Sequence, residues 1–185
     1  MPPRSASFTR LFDGDLVGSR DGIAATLVRA AITSAVASAV SAAALAILGA
    51  REGGGALRPL HASGHWLLGD RSAARNQPTF VRTGVGLATH HLATLFWSLL
   101  MEKALGPRKR TLPELAVTGA LTSVLAAAVD YLVMPRRLSP GWELALTRKS
   151  MAGAFSAMAA GFAAGALAAR TPPARRATRR VARAR

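Results

Sequence analysis

Four stretches of this chain lack charged residues, and short charged segments separate them. The uncharged runs cover residues 30–50, 83–101, 115–129 and 150–169. An α-helix needs about 20 mainly apolar residues to cross the hydrocarbon core of a bilayer. The pattern therefore predicts an all-α fold, a polytopic membrane protein with four transmembrane helices in a bundle and short interfacial segments between them. The predicted spans lie at about residues 27–50, 80–102, 112–134 and 149–169.

The two ends of the chain are polar, unlike the predicted transmembrane domain of residues 23–170. Residues 1–22 carry charges of both signs, and Phe8, Leu11, Phe12 and Leu16 recur at helical spacing. This segment fits either a short helix on the membrane surface or a frayed terminus. Residues 171–185 contain six arginines and no acidic residue, which predicts a disordered tail bound to anionic lipid head groups.

The net charge of +15 would suggest a nucleic-acid partner if the chain were soluble. Here the charge lies between and after long apolar runs, which is typical of loops at anionic lipid, and the tail has no aromatic residue on which a base could stack. Nucleic acid is therefore disfavoured as a partner.

Lys and Arg number fifteen on the side that holds both termini and nine on the other, which predicts cytoplasmic termini. The absence of cysteine excludes disulfides and thiolate chemistry.

Two adjacent histidines, His90 and His91, lie at the middle of the second predicted span. On a helical wheel His91 shares a face with Ser98 and Glu102, whereas His90 falls on the neighbouring face with Trp97. This placement favours His91 as the interior residue and predicts that His90 packs beside Trp97. Each imidazole either hydrogen-bonds a neighbouring helix or carries a function, as an axial ligand or a proton carrier.

Asp130 is the only charged residue inside the third predicted span, about a turn before Pro135. It fits an interfacial carboxylate paired with Arg136 or Arg137, and it also fits the mouth of an interior polar site. The second interpretation defines a candidate intramembrane polar site of five residues: His91, His90, Ser98, Glu102 and Asp130.

A second pair of histidines, His61 and His65, lies in the longest connection. If that segment is helical, the two share a face, and Asp70 follows nearby, so the candidate metal or haem ligands are His61, His65, His90 and His91. A solvated or interfacial histidine pair is the favoured interpretation of His61 and His65. A haem needs an axial ligand from a facing helix, and the other three spans contain no histidine. No cofactor is therefore predicted, with haem or a divalent metal kept as an alternative.

The fourth span repeats a small residue at every fourth position: Gly153, Ala157, Gly161 and Gly165. Small residues at this spacing allow helix backbones to approach closely within a membrane. The stripe predicts tight packing against either another helix of this chain or a second copy, which leaves a homo-oligomer as an alternative.

Several short residue combinations between about residues 61 and 160 resemble those of a group of short, uncharacterised bacterial membrane proteins with four spans. The combinations are His65-Trp66-Leu67-x-Gly69-Asp70, His90-His91, Phe96-Trp97, Glu102-Lys103, Asp130-Tyr131 and Pro135-x-Arg137-Leu138-x-Pro140-Gly141-x-Glu143. The resemblance implies a bacterial inner membrane and brings no known activity.

The function that these patterns favour is that of a non-enzymatic integral membrane protein, embedded in the lipid bilayer and able to self-associate. The sequence contains no recognisable nucleophile motif and no Gly-rich phosphate loop before a helix. The alternatives are a haem- or metal-binding membrane protein that uses His90 or His91, and a small oligomeric channel or proton-coupled transporter.

Overall fold

The computed structural model describes residues 20–171, apart from residues 74 and 76. Within this range the chain forms helices and connections and no strand, which confirms the all-α prediction. The predicted N-terminal surface helix and the arginine-rich tail lie outside the described residues. The α-helices are α1 (Arg20–Arg51), α2 (Arg58–Ala62), α3 (His65–Leu68), α4 (Asp70–Ala73), α5 (Phe80–Leu105), α6 (Leu112–Ala128) and α7 (Arg148–Arg170).

Three helical stretches in the described part of the chain are long and apolar enough to cross a membrane: Gly22–Arg51, Leu112–Val133 and Arg148–Arg170. They coincide with the first, third and fourth predicted spans. The second predicted span does form a helix, α5, but this helix is not among the three. Its adjacent histidines and its threonines lie among apolar residues, so composition alone does not identify it as a span.

The distribution of polar and apolar side chains is the reverse of that in a soluble protein. Large apolar side chains point outwards, and Leu92 and Val124 are 61% and 66% exposed. Hydroxyl, imidazole and carboxylate groups are buried between the helices, and Ser98 and Glu102 have no exposed surface at all. In lipid an apolar exterior is well solvated and polar groups find partners inside the protein. The surface of this fold therefore suits a membrane.

Helix α7 packs between α1 and α6, and α1 also packs against α5. The small-residue stripe of α7 produces the first of these contacts. A Cβ atom added at Gly165 would lie 2.6 Å from the carbonyl oxygen of Thr33, and one at Gly161 would lie 2.8 Å from Cα of Ala37. The predicted close packing thus occurs inside the chain, with α1 as the partner helix. Self-association through the same face of α7 would require the displacement of α1.

The two ends of the helix assembly differ in construction. At the Glu102 end, α1 and α6 begin while α5 and α7 end. A capping box formed by Thr111 and Glu114 starts α6 there. At the opposite end the two longer connections fold over the helices. We call this the cap: helices α2, α3 and α4 with the 3₁₀ turns Arg136–Leu138 and Trp142–Leu144.

Candidate functional site

The cap is held together by hydrogen bonds between its two connections. The indole Nε1 of Trp142 donates to the Ser63 hydroxyl at 3.1 Å, and Trp66 donates to the carbonyl of Ser139. Gly141 lies between them with a φ of +77°, and a Cβ atom there would lie 2.4 Å from the carbonyl oxygen of Ala62. Only glycine combines this backbone conformation with such a close approach. Gly141 therefore allows the second connection to dock on the first.

The sequence favours a solvated or interfacial pair for His61 and His65, and the structure contradicts the solvated alternative. They belong to two different short helices, and both are buried, with 0% and 5% of their surface exposed. His61 donates from Nδ1 to the carbonyl of Arg75 at 2.9 Å and accepts from the Thr83 hydroxyl at 3.0 Å. The imidazoles are buried because the cap folds over α5, and the two connections together with α5 provide a partner for each ring nitrogen.

The ring of His65 contacts two acceptors, the Asp70 carboxylate at 3.0 Å and the Ser139 carbonyl at 2.9 Å. All four ring nitrogens of the His61 and His65 pair are thus engaged by protein groups, and none is free to ligate a metal. Among the described residues, no three His, Asp or Glu side chains come close enough together to hold an ion.

Below the cap lies a partly enclosed cavity of about 50 Å³, bounded by α5, by the end of α6 and by α7. All three tryptophans of the chain, Trp66, Trp97 and Trp142, line it. The other side chains that we use below are Ser63, His90, Thr94, Asp130 and Phe155, which also line the cavity. The rings of Trp142 and Phe155 are 4.8 Å apart between centroids, and those of Trp142 and His90 are 6.0 Å apart. We call this the tryptophan cavity.

The structure reverses the expected roles of the two central histidines. His90 is buried and hydrogen-bonds the Ser41 hydroxyl of α1 through Nε2 at 3.0 Å, whereas His91 is exposed on the outer surface of α5. The preference for His91 as the interior residue is therefore wrong, and the ring beside His90 is that of Trp142. Ser98 and Glu102 lie on the same side of α5 as His91, and both are buried. At the position of His91, however, no helix of the described residues packs against that side.

Asp130 lies in a π-helical turn, Val129–Val133, that ends the third apolar helix. A π turn inserts an extra residue into the helical repeat and often marks a functional site. Here it places Asp130 on the wall of the tryptophan cavity. The favoured pairing with Arg136 or Arg137 is wrong, since these two arginines line a separate groove with Asp70. Within the described part of the chain the Asp130 carboxylate has no hydrogen bond or salt bridge.

Glu102 has the opposite environment at the other end of the bundle. Arg170 donates to both of its carboxylate oxygens, at 3.0 and 2.8 Å, and the Thr33 hydroxyl donates to Oε1 at 2.8 Å. Arg29 adds a longer ion-pair contact of 3.4 Å. A bidentate arginine–carboxylate pair is a strong and geometrically specific contact. These contacts join the ends of α1, α5 and α7, so the role of Glu102 is structural. Glu102 does not share a polar site with Asp130, as the candidate intramembrane site would require.

A line of buried polar residues lies between α1 and α5. It extends from the end of the bundle that holds Glu102 toward the end that holds Asp130. Its members share low exposure and short hydroxyl or imidazole side chains: Ser34, Ser38 and Ser41 of α1, and His90, Thr94 and Ser98 of α5. The hydroxyls of Ser34 and Ser98 have no hydrogen-bond partner among the described atoms. A buried hydroxyl without a partner costs about 1–3 kcal/mol, so bound water is the natural partner for such groups.

Sequence reasoning missed several residues that build these sites. In the sequence Arg29 and Arg170 only flank apolar runs, although an antiparallel bundle brings both to the same end as Glu102. Trp66 and Trp142 have the local sequence that is typical of tryptophans at a membrane interface. The distance along the chain between Ser63 and Trp142 hides their contact, so no local pattern could have indicated the tryptophan cavity.

No family model, curated protein or solved structure matches this chain at a significant level. The geometry described above is therefore the basis for a functional proposal.

Proposed function

We propose that this chain is a non-enzymatic binding protein of the bacterial inner membrane, which crosses the bilayer four times and holds a small polar or charged solute in the tryptophan cavity. Both termini lie in the cytoplasm and the cap faces outwards. The three apolar helices, the 19 uncharged residues of α5 and the excess of Lys and Arg at the Glu102 end support this topology. The resemblance to bacterial four-span proteins supports the inner membrane.

The observation that carries the binding role is the convergence of three tryptophans and one unpaired carboxylate on a single cavity. Binding sites for small molecules combine mostly apolar or aromatic walls with a few polar groups that fix orientation. An ionisable residue within a membrane segment is expensive to maintain and by default indicates function. Asp130 meets both criteria, because it lines the cavity and has no protein partner.

The cavity favours binding over catalysis. The Ser63 hydroxyl accepts from Trp142 and contacts no histidine, and His90 is held by Ser41. The Ser41 hydroxyl that contacts His90 donates to the Ala37 carbonyl and does not line the cavity, so this serine–histidine pair does not present a nucleophile to a bound solute, as covalent catalysis would require. The haem and metal alternatives receive no support from the histidine geometry.

The lipid bilayer is the principal partner in this proposal, with the C-terminal arginines at anionic head groups. A homo-oligomer remains part of the proposal. Its interface would lie on an exposed apolar face rather than on the Gly161–Gly165 stripe, which contacts α1.

Cysteine substitution tests the topology directly, because the natural chain contains no cysteine. Phe80 and Lys103, at opposite ends of α5, are both exposed and each can be replaced by cysteine. On intact cells a membrane-impermeant maleimide should label Phe80→Cys and leave Lys103→Cys unlabelled until the cells are lysed. Labelling of both from the outside would show that α5 does not cross the membrane.

Acrylamide quenching tests the accessibility of the cavity to small polar solutes. All three tryptophans line the cavity, so intrinsic tryptophan fluorescence reports on it. Trp66 is 38% exposed and adds a surface component that is the same in both proteins compared below. Acrylamide added outside proteoliposomes should quench the wild type more strongly than Thr94→Leu, which places a larger apolar side chain in the cavity wall. Equal quenching of the two proteins would contradict a solute-accessible cavity.

A second candidate function, proton movement through the bundle, rests on the line of buried polar residues between α1 and α5. Ser34 and Ser98 carry unpartnered hydroxyls between His90 and Glu102, and bound water would complete a hydrogen-bonded path. Proteoliposomes with an enclosed pH dye should acidify under a proton gradient, and Ser98→Ala should slow this. Acidification that is unchanged in Ser98→Ala and His90→Ala would exclude the path.

A further inference from the structure

The chemistry of the tryptophan cavity narrows the kind of solute it accepts. We propose that the cavity binds an ammonium group, the positively charged head of a small organic amine, between the indole rings and the Asp130 carboxylate. This inference rests on the binding role proposed above and adds the chemical class of the ligand.

The walls of the cavity provide the aromatic half of such a site. Indole is the side chain that attracts a cation most strongly, because the face of its ring carries negative potential. Trp142 is buried to 3% exposure and held by its bond to Ser63, so its ring is fixed before any ligand arrives. Phe155 packs against it at 4.8 Å and extends the aromatic wall. A preorganised aromatic wall of this kind suits an alkylated ammonium group.

The electrostatics of the cavity provide the second half. Asp130 has no cationic partner in the described part of the chain, and the charge that acts on it is that of another carboxylate, Glu143. The Glu143 carboxylate accepts a hydrogen bond from the Ser139 hydroxyl and forms no salt bridge with a cation of the described residues. Two neighbouring carboxylates without a counter-charge repel each other, and a bound cation would relieve this repulsion. The site therefore selects against anions.

The arginines that could have neutralised Asp130 are held elsewhere. Arg136 and Arg137 lie in the 3₁₀ turn that follows the π turn, and both line the groove that also contains Asp70. The π turn and Pro135 separate them from Asp130 in the chain. The local backbone path thus keeps these two arginines from Asp130, and no other cation of the described residues pairs with its carboxylate.

The size and donor set of the cavity argue for an ammonium group rather than a metal ion or a large molecule. About 50 Å³ accommodates a group of a few heavy atoms, well below the volume that drug-sized ligands occupy. A hard metal ion would need about six oxygen ligands, whereas the side chains that line this cavity offer one carboxylate and the hydroxyls of Ser63, Thr89 and Thr94. An ammonium ion needs only one carboxylate and aromatic faces.

Choline and its neutral isostere 3,3-dimethyl-1-butanol form a matched pair of probes, since they have similar shape and differ in charge. Purified full-length protein is placed in phosphatidylglycerol nanodiscs, which contain no ammonium lipid, and tryptophan fluorescence is recorded during titration. We expect saturable quenching or a spectral shift with choline and none with the isostere. Asp130→Asn should weaken the choline response about tenfold or more, whereas Glu52→Gln, a carboxylate near the cap but outside the cavity, should not.

The outcomes separate this inference from the proposed function. Equal responses to choline and the isostere, or an unchanged affinity in Asp130→Asn, would overturn the ammonium proposal but leave a binding cavity. A cavity that is closed to acrylamide as well would overturn both proposals. If Asp130→Asn does not fold, Trp142→Phe, which retains an aromatic ring, should still bind choline, and Trp142→Leu should bind it more weakly.

A second arm identifies the source of the amine. Replacing half of the phosphatidylglycerol with phosphatidylethanolamine adds an ammonium head group to the lipid itself. A loss of apparent choline affinity in these nanodiscs would identify lipid head groups as the occupants, and an unchanged affinity would identify a free amine.

Discussion

Glu102 and Asp130 are both acidic residues within helices of an apolar fold, yet their surroundings are opposite. Glu102 is completely buried and contacts two arginines and a threonine. Asp130 is partly buried, lines a cavity and has no protein partner among the described residues. The first carboxylate is fully satisfied inside the chain, so it holds helices together. The second has no such partner among the described residues, and we propose that a group entering the cavity provides one.

The comparison teaches that burial of a charged residue does not by itself identify a functional site in a membrane protein. The number of protein partners decides between the two roles, because a paired buried charge stabilises one arrangement and an unpaired one remains available. Substitutions at Glu102 and Asp130 test this distinction directly, and substitutions at Gly165 and Glu52 test two other contacts of the fold.

Glu102→Ala should have the largest effect. It removes the partner of the Arg170 side chain, which is only 9% exposed, and a buried charge left without its partner costs about 3–5 kcal/mol. Thermal unfolding in detergent, followed by circular dichroism, should show a large fall in Tm. The double variant Glu102→Leu with Arg170→Leu is the control, because removing both charges should cost less than removing one. A Tm for Glu102→Ala within error of wild type would contradict the structural role.

Gly165→Ala should have the second largest effect. The added methyl group would meet the backbone of Thr33, the residue whose hydroxyl donates to Glu102. Overpacking of this kind costs about 1–3 kcal/mol. Gly153→Ala is the matched control on the same helix, since its Cβ atom would lie 3.6 Å from a flexible leucine carbon. Equal stability of the two variants in the same unfolding assay would show that α1 and α7 do not approach as closely as described.

Asp130→Asn should change stability by less than about 1 kcal/mol, in the direction of greater stability. The substitution breaks no hydrogen bond or ion pair and removes the repulsion between Asp130 and Glu143. Glu102→Gln is the corresponding substitution of a carboxylate by an amide at the other end, and it should be clearly destabilising. Similar losses of stability in both variants, measured by thermal unfolding without added amine, would remove the distinction between the two carboxylates.

Glu52 gives the smallest effect, and it depends on pH. Hydrogen bonds from the side chains of Ser150 and Thr147 lower the pKa of the Glu52 carboxyl below its usual value near 4.5. A carboxyl with a lowered pKa contributes stability above its unfolded-state pKa and loses it as the pH falls through the folded-state pKa. Stability should therefore decline slightly below about pH 4.5. In Glu52→Gln this part of the pH dependence should disappear, and an identical pH profile would count against the contact.

Much of the fold could be predicted from the sequence. Long uncharged runs predict apolar helices because hydrocarbon leaves the backbone no hydrogen-bond partner except itself. The Thr111 and Glu114 capping box also follows from local sequence, since its members lie within one turn. The small residues of α7 predicted close packing, but their spacing could not identify the partner helix.

The candidate site was predictable only in part. His90 and Asp130 stand out as polar residues in apolar runs, whereas Trp142 and Ser63 come from different connections and meet only in the folded cap. The prediction that His91 rather than His90 faces the interior is wrong for a simple reason. A helical wheel gives the direction of a side chain around the helix axis, but it does not show where along the axis a neighbouring helix packs.

The sequence by itself determined the helical class, the apolar runs and the residues that are expensive to bury, because these depend on composition and local periodicity. The tertiary structure alone decided which buried charge has a partner. Arg170 reaches Glu102 because α5 and α7 end at the same level, and Arg136 is kept from Asp130 by the π turn and Pro135. Pairing depends on distances between helices, and these are set by close contacts such as that of Gly165 with Thr33.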